Sequence, residues 1–452
     1  MLFLQCTPIF QREERRKMPL KHLFLLLICG MVINATAQSL LLPEEAVQQV
    51  LQRNLQLEME RKNQAAAEVV KTPGNAGFLP SLQVNSGYTL QSIDLKQEFS
   101  NGLQVDRSGV GSSNMQASLG LQWALFDGGR MFHNWHRLQE EAQMAGYAFR
   151  DQAGKVVSTA LLAYFEIVQL QQQLKAFQAG LETADQQLLV SRTRFESGSA
   201  TRQELLQAEI DRNVWTVLII KEKSNIRSAK IKLNELLVRE VDTEFSVIDS
   251  LPAFYNQFIS SAAETPDLSE NPGLLYAASS KRLAALAVSS LKADFYPRLM
   301  LNAGYQFGRT NSEGGFALFN RSIGPAAGLG ITWNIFNGGV VKTSLRHAGF
   351  MEEKAGLAFR SQELALKAAY KMAKIQLEDQ LQISALEALN MSASRQNMEL
   401  ALEQFRLGKS DMTALKEAQR SYQESISRLS AAKRSALAAE IELLRISGKL
   451  IR

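Results

Sequence analysis

One pattern occurs twice in the chain, and this duplication limits its possible folds more than any other feature. A shift of 210 residues aligns Trp123–Gly129 with Trp333–Gly339 without any insertion. Earlier in each half the shift is 217, which aligns Asn54 with Asn271. The seven-residue difference lies in a segment rich in Gly, Ser and Asn, which is typical of a surface loop. The fold must therefore be built from two equivalent halves.

The duplication divides the chain into four parts. We predict a leader at 1–37, a first repeat at 38–240, a connector at 241–270 and a second repeat at 271–452. In the leader, basic residues precede the apolar run Leu23–Val32, and Ala35–Ala37 supplies a small–x–small cleavage pattern, which predicts a signal peptide. Met18 is a possible alternative start, and Ile28 before Cys29 disfavours a lipoprotein. Both cysteines fall in the leader, so the exported chain needs no disulfide.

Charge gives little support to nucleic-acid binding. The formal net charge is +5, but the leader holds five basic and two acidic residues, so the rest of the chain is nearly balanced. No window beyond the leader offers about 18 uninterrupted apolar residues, and the sequence therefore predicts no transmembrane helix.

Four segments alternate between apolar residues and small or polar ones, which predicts β-strands. They lie at Leu82–Gln91, Met115–Leu125, Arg298–Phe307 and Ile323–Ile335. We predict a loop between the strands of each pair, with the turn and loop residues Asn101–Gly102 and Ser108–Ser113 in the first half and Gly308–Arg321 in the second. Each strand has about the length that a tilted strand needs to cross a bilayer. A soluble β-sandwich alternates in the same way, so the strands alone leave both interpretations open.

The remaining sequence predicts helices. Arg130–Arg194 and Val340–Gln404 contain no Pro and would each be roughly 98 Å long at about 1.5 Å per residue. Shorter helices flank them, and in each half the two short lengths sum to about one long helix, so they are expected to stack end to end. The predicted short helices are Pro43–Thr72, Ala200–Val238, Asn271–Asp294 and Asp411–Ile446.

Four strands are too few to close a membrane barrel, because the smallest such barrels have about eight. An open edge in lipid would leave backbone groups without hydrogen bonds. Several chains must then contribute. Two would fill the lumen with side chains, whereas three would leave an opening that suits the Gly, Ser, Asn and Gln of the polar face, so we favour three.

This duplicated plan resembles the TolC family of outer-membrane efflux and secretion channels, over residues 40–447. The resemblance is carried by motifs that recur in order in both halves. They are Asn54, Phe78–Leu82, Leu125–Arg130, Phe195–Gly198 with Leu205 and Ala208, Asn271–Pro272, Phe295–Leu299, Ile335–Gly339, and Phe405–Gly408 with Leu415, Ala418 and Gln419.

The resemblance implies a mixed fold, in which a 12-stranded membrane β-barrel of a homotrimer continues into a long α-helical barrel through the periplasm. It implies outer-membrane lipid around the barrel, and a periplasmic adaptor (membrane fusion) protein and an inner-membrane transporter as partners. On this basis we expect a passive channel that exports small molecules, with no cofactor and no enzymatic activity.

The candidate site residues lie at helix turns and strand–helix junctions. The resemblance implies that Phe195, Gly198, Phe405 and Gly408 form the tip that docks the adaptor; plain helix hairpins without a partner are the alternative. The resemblance also indicates Glu417 as half of an acidic gate ring, with Ala414 at the other position; a solvated surface glutamate is the alternative. Separately, we expect the tandem glycines to absorb the change of direction between strand and helix. They are Gly128, Gly129, Gly338 and Gly339.

Other chemistry is weakly supported. His133 and His136 lie one helical turn apart, but no third ligand type clusters nearby, so we expect no metal site. The tandem glycines match no phosphate loop. Three further interpretations remain: a structural or adhesive coiled-coil envelope protein, a type I protein-secretion duct, and the periplasmic adaptor itself, which the duplication disfavours.

Overall fold

The computed structural model describes residues 40–249, 268–314 and 317–450. The predicted leader and most of the predicted connector lie outside these residues. The described part is mostly helical, with one four-stranded sheet. In chain order the elements are α1 (Pro43–Arg53), α2 (Leu55–Val70), α3 (Pro73–Ala76), β1 (Ser81–Glu98), β2 (Gln104–Phe126), α4 (Arg130–Glu196), α5 (Arg202–Leu236), α6 (Pro272–Lys292), β3 (Arg298–Ser312), β4 (Phe319–Thr332), α7 (Val340–Arg406) and α8 (Met412–Ile446).

The two long helices are present with nearly the predicted bounds. Helices α4 and α7 each contain 67 residues, or roughly 100 Å at about 1.5 Å per residue. Each turns back at its end into a helix of 35 residues, α5 after α4 and α8 after α7. Pro43 begins α1, and the Asp411 side chain caps α8 by accepting a hydrogen bond from the Ala414 N–H at 2.9 Å.

The four strands form one antiparallel sheet in the order β1-β2-β3-β4. They are longer than predicted. The loop predicted at Ser108–Ser113 is wrong, because this segment continues β2, and Gly308–Asn311 likewise continues β3 in register with β4. Serine and glycine favour turns when isolated, but Val110–Ser113 pair with β1 here, while Ser108 and Gly109 form a bulge in which the Gly109 N–H donates to the Asp94 side chain at 2.8 Å. Between β1 and β2 the chain turns only at 99–103.

The register places most apolar residues of the four strands on one face of the sheet. Val84 pairs with Leu119, Leu119 with Tyr305, and Tyr305 with Pro325. The neighbouring positions form a row of small and polar residues on the opposite face, where Asn85 and Ser118 are paired. The apolar face is exposed; for example, Val84 and Ile331 are each 74% accessible. An apolar surface of this extent requires lipid or another chain to cover it.

The predicted helix Pro43–Thr72 is wrong as a single element, because it breaks at Asn54. Asn54 has an extended backbone, and its side-chain oxygen accepts hydrogen bonds from the N–H groups of Gln56 and Leu57, which begins α2. Its amide nitrogen donates to the carbonyl of Leu236 at the end of α5, at 3.1 Å. The break is therefore a capped junction that joins the start of α2 to the end of α5.

The second half repeats this junction. The Asn271 side chain accepts from the Leu274 N–H at 3.0 Å and donates to the carbonyl of Ile446, the last residue of α8, at 2.8 Å. Asn271 is 3% exposed. In both halves a buried asparagine thus satisfies one unpaired group at the start of one short helix and one at the end of another. This geometry agrees with end-to-end stacking of the short helices.

The helices pack around two main apolar clusters. One surrounds the middle of α4 and includes Tyr164, Leu233 and Leu437. The other lies nearer the helix turns and includes Phe177, Trp215 and Tyr422. Helix α4 also contains one stretch that is long and apolar enough to cross a membrane, although the sequence predicted none, but 61% of that stretch is buried within the protein. Burial of this kind is expected of a core helix.

Candidate functional site

The two turns between long and short helices have the same backbone structure. Gly198 and Gly408 both adopt positive φ, at 75° and 71°. In the first turn the Ser199 N–H donates to the Arg194 carbonyl, and in the second the Lys409 N–H donates to the Gln404 carbonyl. The N–H of each glycine also donates to the carbonyl three residues earlier, Gly198 to Phe195 and Gly408 to Phe405. Both turns are therefore Schellman motifs. The left-handed conformation requires glycine at both turns, as the sequence predicts.

The two phenylalanines of these turns have different environments. Phe405 is 1% exposed, and the guanidinium of Arg194 lies 5.1 Å from its ring centroid. Phe195 is only half-buried and is covered by Arg202 on its own hairpin, at 5.7 Å. The second turn is therefore held against the first by Phe405. Phe195 stays within its own hairpin and keeps part of its surface accessible at the end of the helices.

A buried polar layer joins three helices near the turns. Gln187 of α4 is fully buried and accepts a hydrogen bond from Gln419 of α8 at 2.6 Å. Its own amide nitrogen donates to Asp211 of α5 at 3.4 Å and to the sulfur of Met412 at 3.0 Å. Gln207 also donates to Asp211, at 2.7 Å. This layer ties the α4–α5 hairpin to the α7–α8 hairpin.

Sequence patterns do not predict this layer, because the spacing of apolar residues identifies only apolar positions of a helix face. Phe177 and Ala184 of α4 are buried, and Gln187 lies on the same side of the helix three residues further. Gln419 was recognised only as a family motif. Its spacing of four residues from Leu415, which is fully buried, was the one available signal that it points inward.

Glu417 lies on the first two turns of α8, and its side chain is exposed. The hydrogen bond and charge of Glu424 raise the pKa of Arg420, and the charge of Glu417 raises it further. Ala414, the second gate position, is also exposed. Leu415 and Ala418 between them are buried, so both gate positions lie on the outer side of α8 within one chain. The gate assignment of Glu417 stays a prediction.

The tandem glycines form both strand–helix junctions. Gly128, Gly129, Gly338 and Gly339 all have positive φ. A side chain at Gly128 would collide with the carbonyl oxygen of Ala293, only 2.4 Å from an added Cβ. Gly128 is therefore needed for close approach as well as for its conformation.

At each strand–helix junction a tryptophan at the end of the strand segment forms a hydrogen bond with the backbone. The Trp123 indole N–H donates to the Phe78 carbonyl at 2.9 Å, and the Trp333 indole N–H donates to the Phe295 carbonyl at 3.0 Å. Both rings are more than one-third exposed. The arrangement suits a membrane interface, where the ring contacts lipid while the N–H is already satisfied.

An ionic cluster links the two halves at the same level. Asp294 contacts the guanidinium of Arg130 at the start of α4 and that of Arg298 at the start of β3. One carboxylate therefore holds the strand–helix junction of the first half against the first strand of the second half.

Two carboxyl groups are buried in the helical region. Glu440 is 3% exposed, and neither of its oxygens has a hydrogen-bond partner among the described residues. Burial raises its pKa to about 7. Burial also raises the pKa of Glu222, partly offset by a hydrogen bond from Asn225. Because their pKa values are raised, both carboxyl groups keep their protons to a higher pH than exposed glutamates do.

Within the described ranges, no group of three or more His, Cys, Asp or Glu side chains is placed so that it could bind a metal ion. The His136 ring contacts the Gln139 side chain at 3.3 Å. His133 lines a shallow cavity beside Gly128 and Tyr296.

These features define a class of protein: two helical hairpins about 100 Å long, joined at one end to a sheet with an exposed apolar face. The model of the outer membrane efflux protein family matches the chain over residues 46–238 and 267–449. The chain belongs to this family, and it is a protein of the bacterial outer membrane.

Individual relatives agree with this assignment. The alkaline protease secretion protein AprF of Pseudomonas aeruginosa is 24% identical over 314 residues, which cover 68% of this chain and 63% of AprF. The outer membrane efflux protein BepC of Brucella suis is 21% identical over 50% of this chain and 49% of BepC. The chain thus spans 63% and 49% of the lengths of these two relatives. The outer membrane channel CmeC of Campylobacter jejuni shares the fold, with a TM-score of 0.75, 14% identity and coverage of 90% and 86% of the two chains.

Proposed function

We propose that three copies of the chain form an outer-membrane channel and periplasmic tunnel of a tripartite export system. The observation that carries the proposal is the register of the sheet, which places most apolar residues on one face and most small or polar residues on the other. Such a sheet is suited to face lipid outward and water inward. Family membership supports an efflux role.

Closure of the barrel requires the trimer. Among the described strands, β1 and β4 are each paired on one side only. An unpaired edge in lipid costs several kcal/mol for each unsatisfied backbone group. Pairing β4 of one chain with β1 of the next removes all edges, and three chains supply twelve strands. The polar face then lines a lumen wide enough for water.

The long hairpins supply the path across the periplasm. Helices α4 and α7 extend the duct for roughly 100 Å and end at the two Schellman turns. The partly exposed Phe195 and the two turn glycines form the end surface on which a periplasmic adaptor docks. The adaptor connects the channel to an inner-membrane transporter, which supplies the energy, so the channel itself is passive and performs no catalysis.

Docking is tested by placing a bulky side chain at the tip. Gly408→Trp should abolish co-purification of the adaptor, because it distorts the turn and covers its surface. Asn63→Trp, on an exposed position of α2 far from the turns, is the matched control and should leave the adaptor bound. Equal adaptor recovery with both variants would exclude the docking role.

A gate at Glu417 follows from the same assembly. Three copies of this exposed carboxylate would face one tunnel and attract cations. Glu417→Ala trimers in planar bilayers should lose cation selectivity, whereas Glu403→Ala, an exposed acid on α7, should keep it. Unchanged selectivity in Glu417→Ala excludes the gate.

The channel as a whole is tested by purification in detergent. We expect a trimer that dissociates on heating and conducts ions in planar bilayers. A monomer in the aqueous fraction would refute the proposal and would return the chain to a structural envelope role.

Export of a polypeptide is a second candidate, because AprF is named as a protease secretion protein. The two cargo classes require different inner-membrane partners. Cross-linking of the tagged channel in cells, followed by identification of the transporter, distinguishes them: a proton-driven drug transporter supports small-molecule efflux, and an ATP-driven exporter with a linked secreted protein supports secretion.

A further inference from the structure

Two arginines lie side by side on the apolar face of the sheet, at its loop end. Arg309 of β3 and Arg321 of β4 are directly opposite each other in the ladder. Both are exposed. They share this face with Phe307 and Ile323, the next pair toward the helices, so they lie where the apolar band ends.

Their depth follows from the register. Leu299, paired with Ile331, begins the apolar band near the tryptophan level, and Arg309 lies ten residues further along β3. Ten residues at about 3.3 Å span roughly 33 Å along the strand. At a tilt of about 40° this is roughly 25 Å across the membrane, the height of the lipid-facing band of such barrels. The arginines therefore reach the headgroups of the outer leaflet.

The two like charges lie next to each other, and no counter-ion for them is found in the described part of the chain. Like charges directly opposite in a ladder are destabilising. Arg309 stacks on Phe319 at 5.4 Å and Arg321 on Phe307 at 5.7 Å, each ring belonging to the opposite strand. The rings cover the faces of the guanidinium groups and leave their N–H edges available. Neither arginine has a carboxylate or hydrogen-bond acceptor among the described residues.

The next acid along the chain from Arg309 forms its contact elsewhere. Glu313 lies four residues beyond Arg309, and its carboxylate accepts from the Gly111 N–H at 3.3 Å. An external anion is thus the missing complement. A guanidinium presents several N–H donors in a plane that matches a phosphate group.

We propose that Arg309 and Arg321 bind the phosphate groups of an outer-leaflet lipid, whose acyl chains lie along the apolar face below them. The inference rests on the proposed membrane channel. The rings fix the orientation of both guanidinium groups before the lipid arrives, which lowers the entropic cost of binding. The pair would anchor the barrel at a defined depth in the outer leaflet.

The test uses purified full-length trimers in detergent, titrated with diphosphoryl lipid A, with the same lipid after removal of its phosphates, and with inorganic phosphate. Arg309→Gln and Arg321→Gln should each weaken binding of the diphosphoryl lipid by about tenfold, since a charge-assisted hydrogen bond is lost. Removal of the phosphates should weaken binding of the lipid to the native trimer at least as much. The matched control is Arg107→Gln at the same end of the sheet, where Arg107 pairs with Leu95 on the polar face.

Each outcome has a defined meaning. Unchanged binding in both variants, or an equal loss in Arg107→Gln, would overturn the assignment. Displacement of the lipid by millimolar inorganic phosphate would overturn the lipid as the source of the phosphate. If the native protein is not a trimer or does not conduct, the channel proposal fails; if it conducts but lipid binding ignores both arginines, only this inference fails.

Discussion

Glu440 should make the helical region more stable in acid than at neutral pH. Its carboxyl group is buried, both oxygens lack partners among the described residues, and its pKa is raised to about 7 from 4.5. Between these two values the folded chain holds a proton that the unfolded chain has released, so stability falls as pH rises through this window. The stabilisation is complete below pH 4.5 and lost above about pH 7. The pKa difference corresponds to about 3 kcal/mol per chain.

The substitution Glu440→Gln removes this dependence because a neutral amide replaces the carboxyl group. The variant should match the native protein near pH 4.5 and exceed it by about 3 kcal/mol at pH 8. With an unfolding entropy of about 2.1 cal/mol/K per residue, this is a rise of about 3 °C in the unfolding midpoint. Circular dichroism of the detergent-solubilised protein, melted at several pH values, measures the difference.

The control for this experiment is Glu442→Gln, two residues further on the same helix. Glu442 is ion-paired with Arg445, so its loss shifts stability but leaves the slope set by Glu440. Native and Glu440→Gln curves that stay parallel from pH 4.5 to 8 would refute the reasoning, as would a Glu442→Gln variant that loses the slope.

Three further predictions concern packing and turns, each measured as a change in unfolding midpoint at fixed pH. Asn271→Ala should cost about 2–4 kcal/mol, since it removes a helix cap and leaves the buried Ile446 carbonyl unpaired, whereas Asn63→Ala on the surface should be nearly neutral. Gly408→Ala should cost about 1–2 kcal/mol because φ is positive there, and a neutral result would contradict the strained turn. Gly180→Ala should destabilise the protein, because the added Cβ would lie 2.5 Å from the Trp215 ring. Gly154→Ala on the same helix meets only ordinary contacts and should raise the free energy of unfolding by about 0.5–1 kcal/mol. The same sign for both variants would refute the steric argument.

The sequence predicts elements whose signal is local and periodic. Alternation recovered the four strands but not their full lengths, since β1 and β2 extend well beyond the predicted bounds, and the absence of Pro recovered both 67-residue helices to within a few residues. It failed where a residue's local preference is overridden by a distant partner. Ser108–Ser113 resembles a loop until a neighbouring strand pairs with it, and Asn54 resembles an ordinary helical residue until the end of α5 offers a carbonyl.

The candidate site was predictable to the extent that backbone conformation requires one residue type. Positive φ restricts the turns and junctions to glycine, so Gly198 and Gly128 are visible in the sequence. The polar layer around Gln187 was invisible, because glutamine is usually exposed and its burial depends on partners more than twenty residues away. The arginine pair of the sheet was equally hidden, since only the register places Arg309 opposite Arg321.

The two halves agree at their junctions and differ at their tips, and this difference has a physical consequence. Trp123 and Trp333 make the same hydrogen bond, as do Asn54 and Asn271, because each half must join strand to helix and helix to helix in the same way. At the tip, Arg194 stacks on Phe405, but the 210-residue shift places glutamine opposite Arg194, and no equivalent contact exists in the described residues.

The buried polar layer at the tip is likewise built from unlike positions. The same shift replaces Asp211 by serine, and the position equivalent to Gln419 in the first half is glutamate. Contacts of this kind hold one hairpin against the other in a single arrangement, which two identical hairpins would not specify. A movement that separates the two hairpins of one chain therefore breaks the contacts of Gln187 and Phe405. The tryptophan and asparagine hydrogen bonds at the junctions each lie within one half, so the same movement leaves them intact.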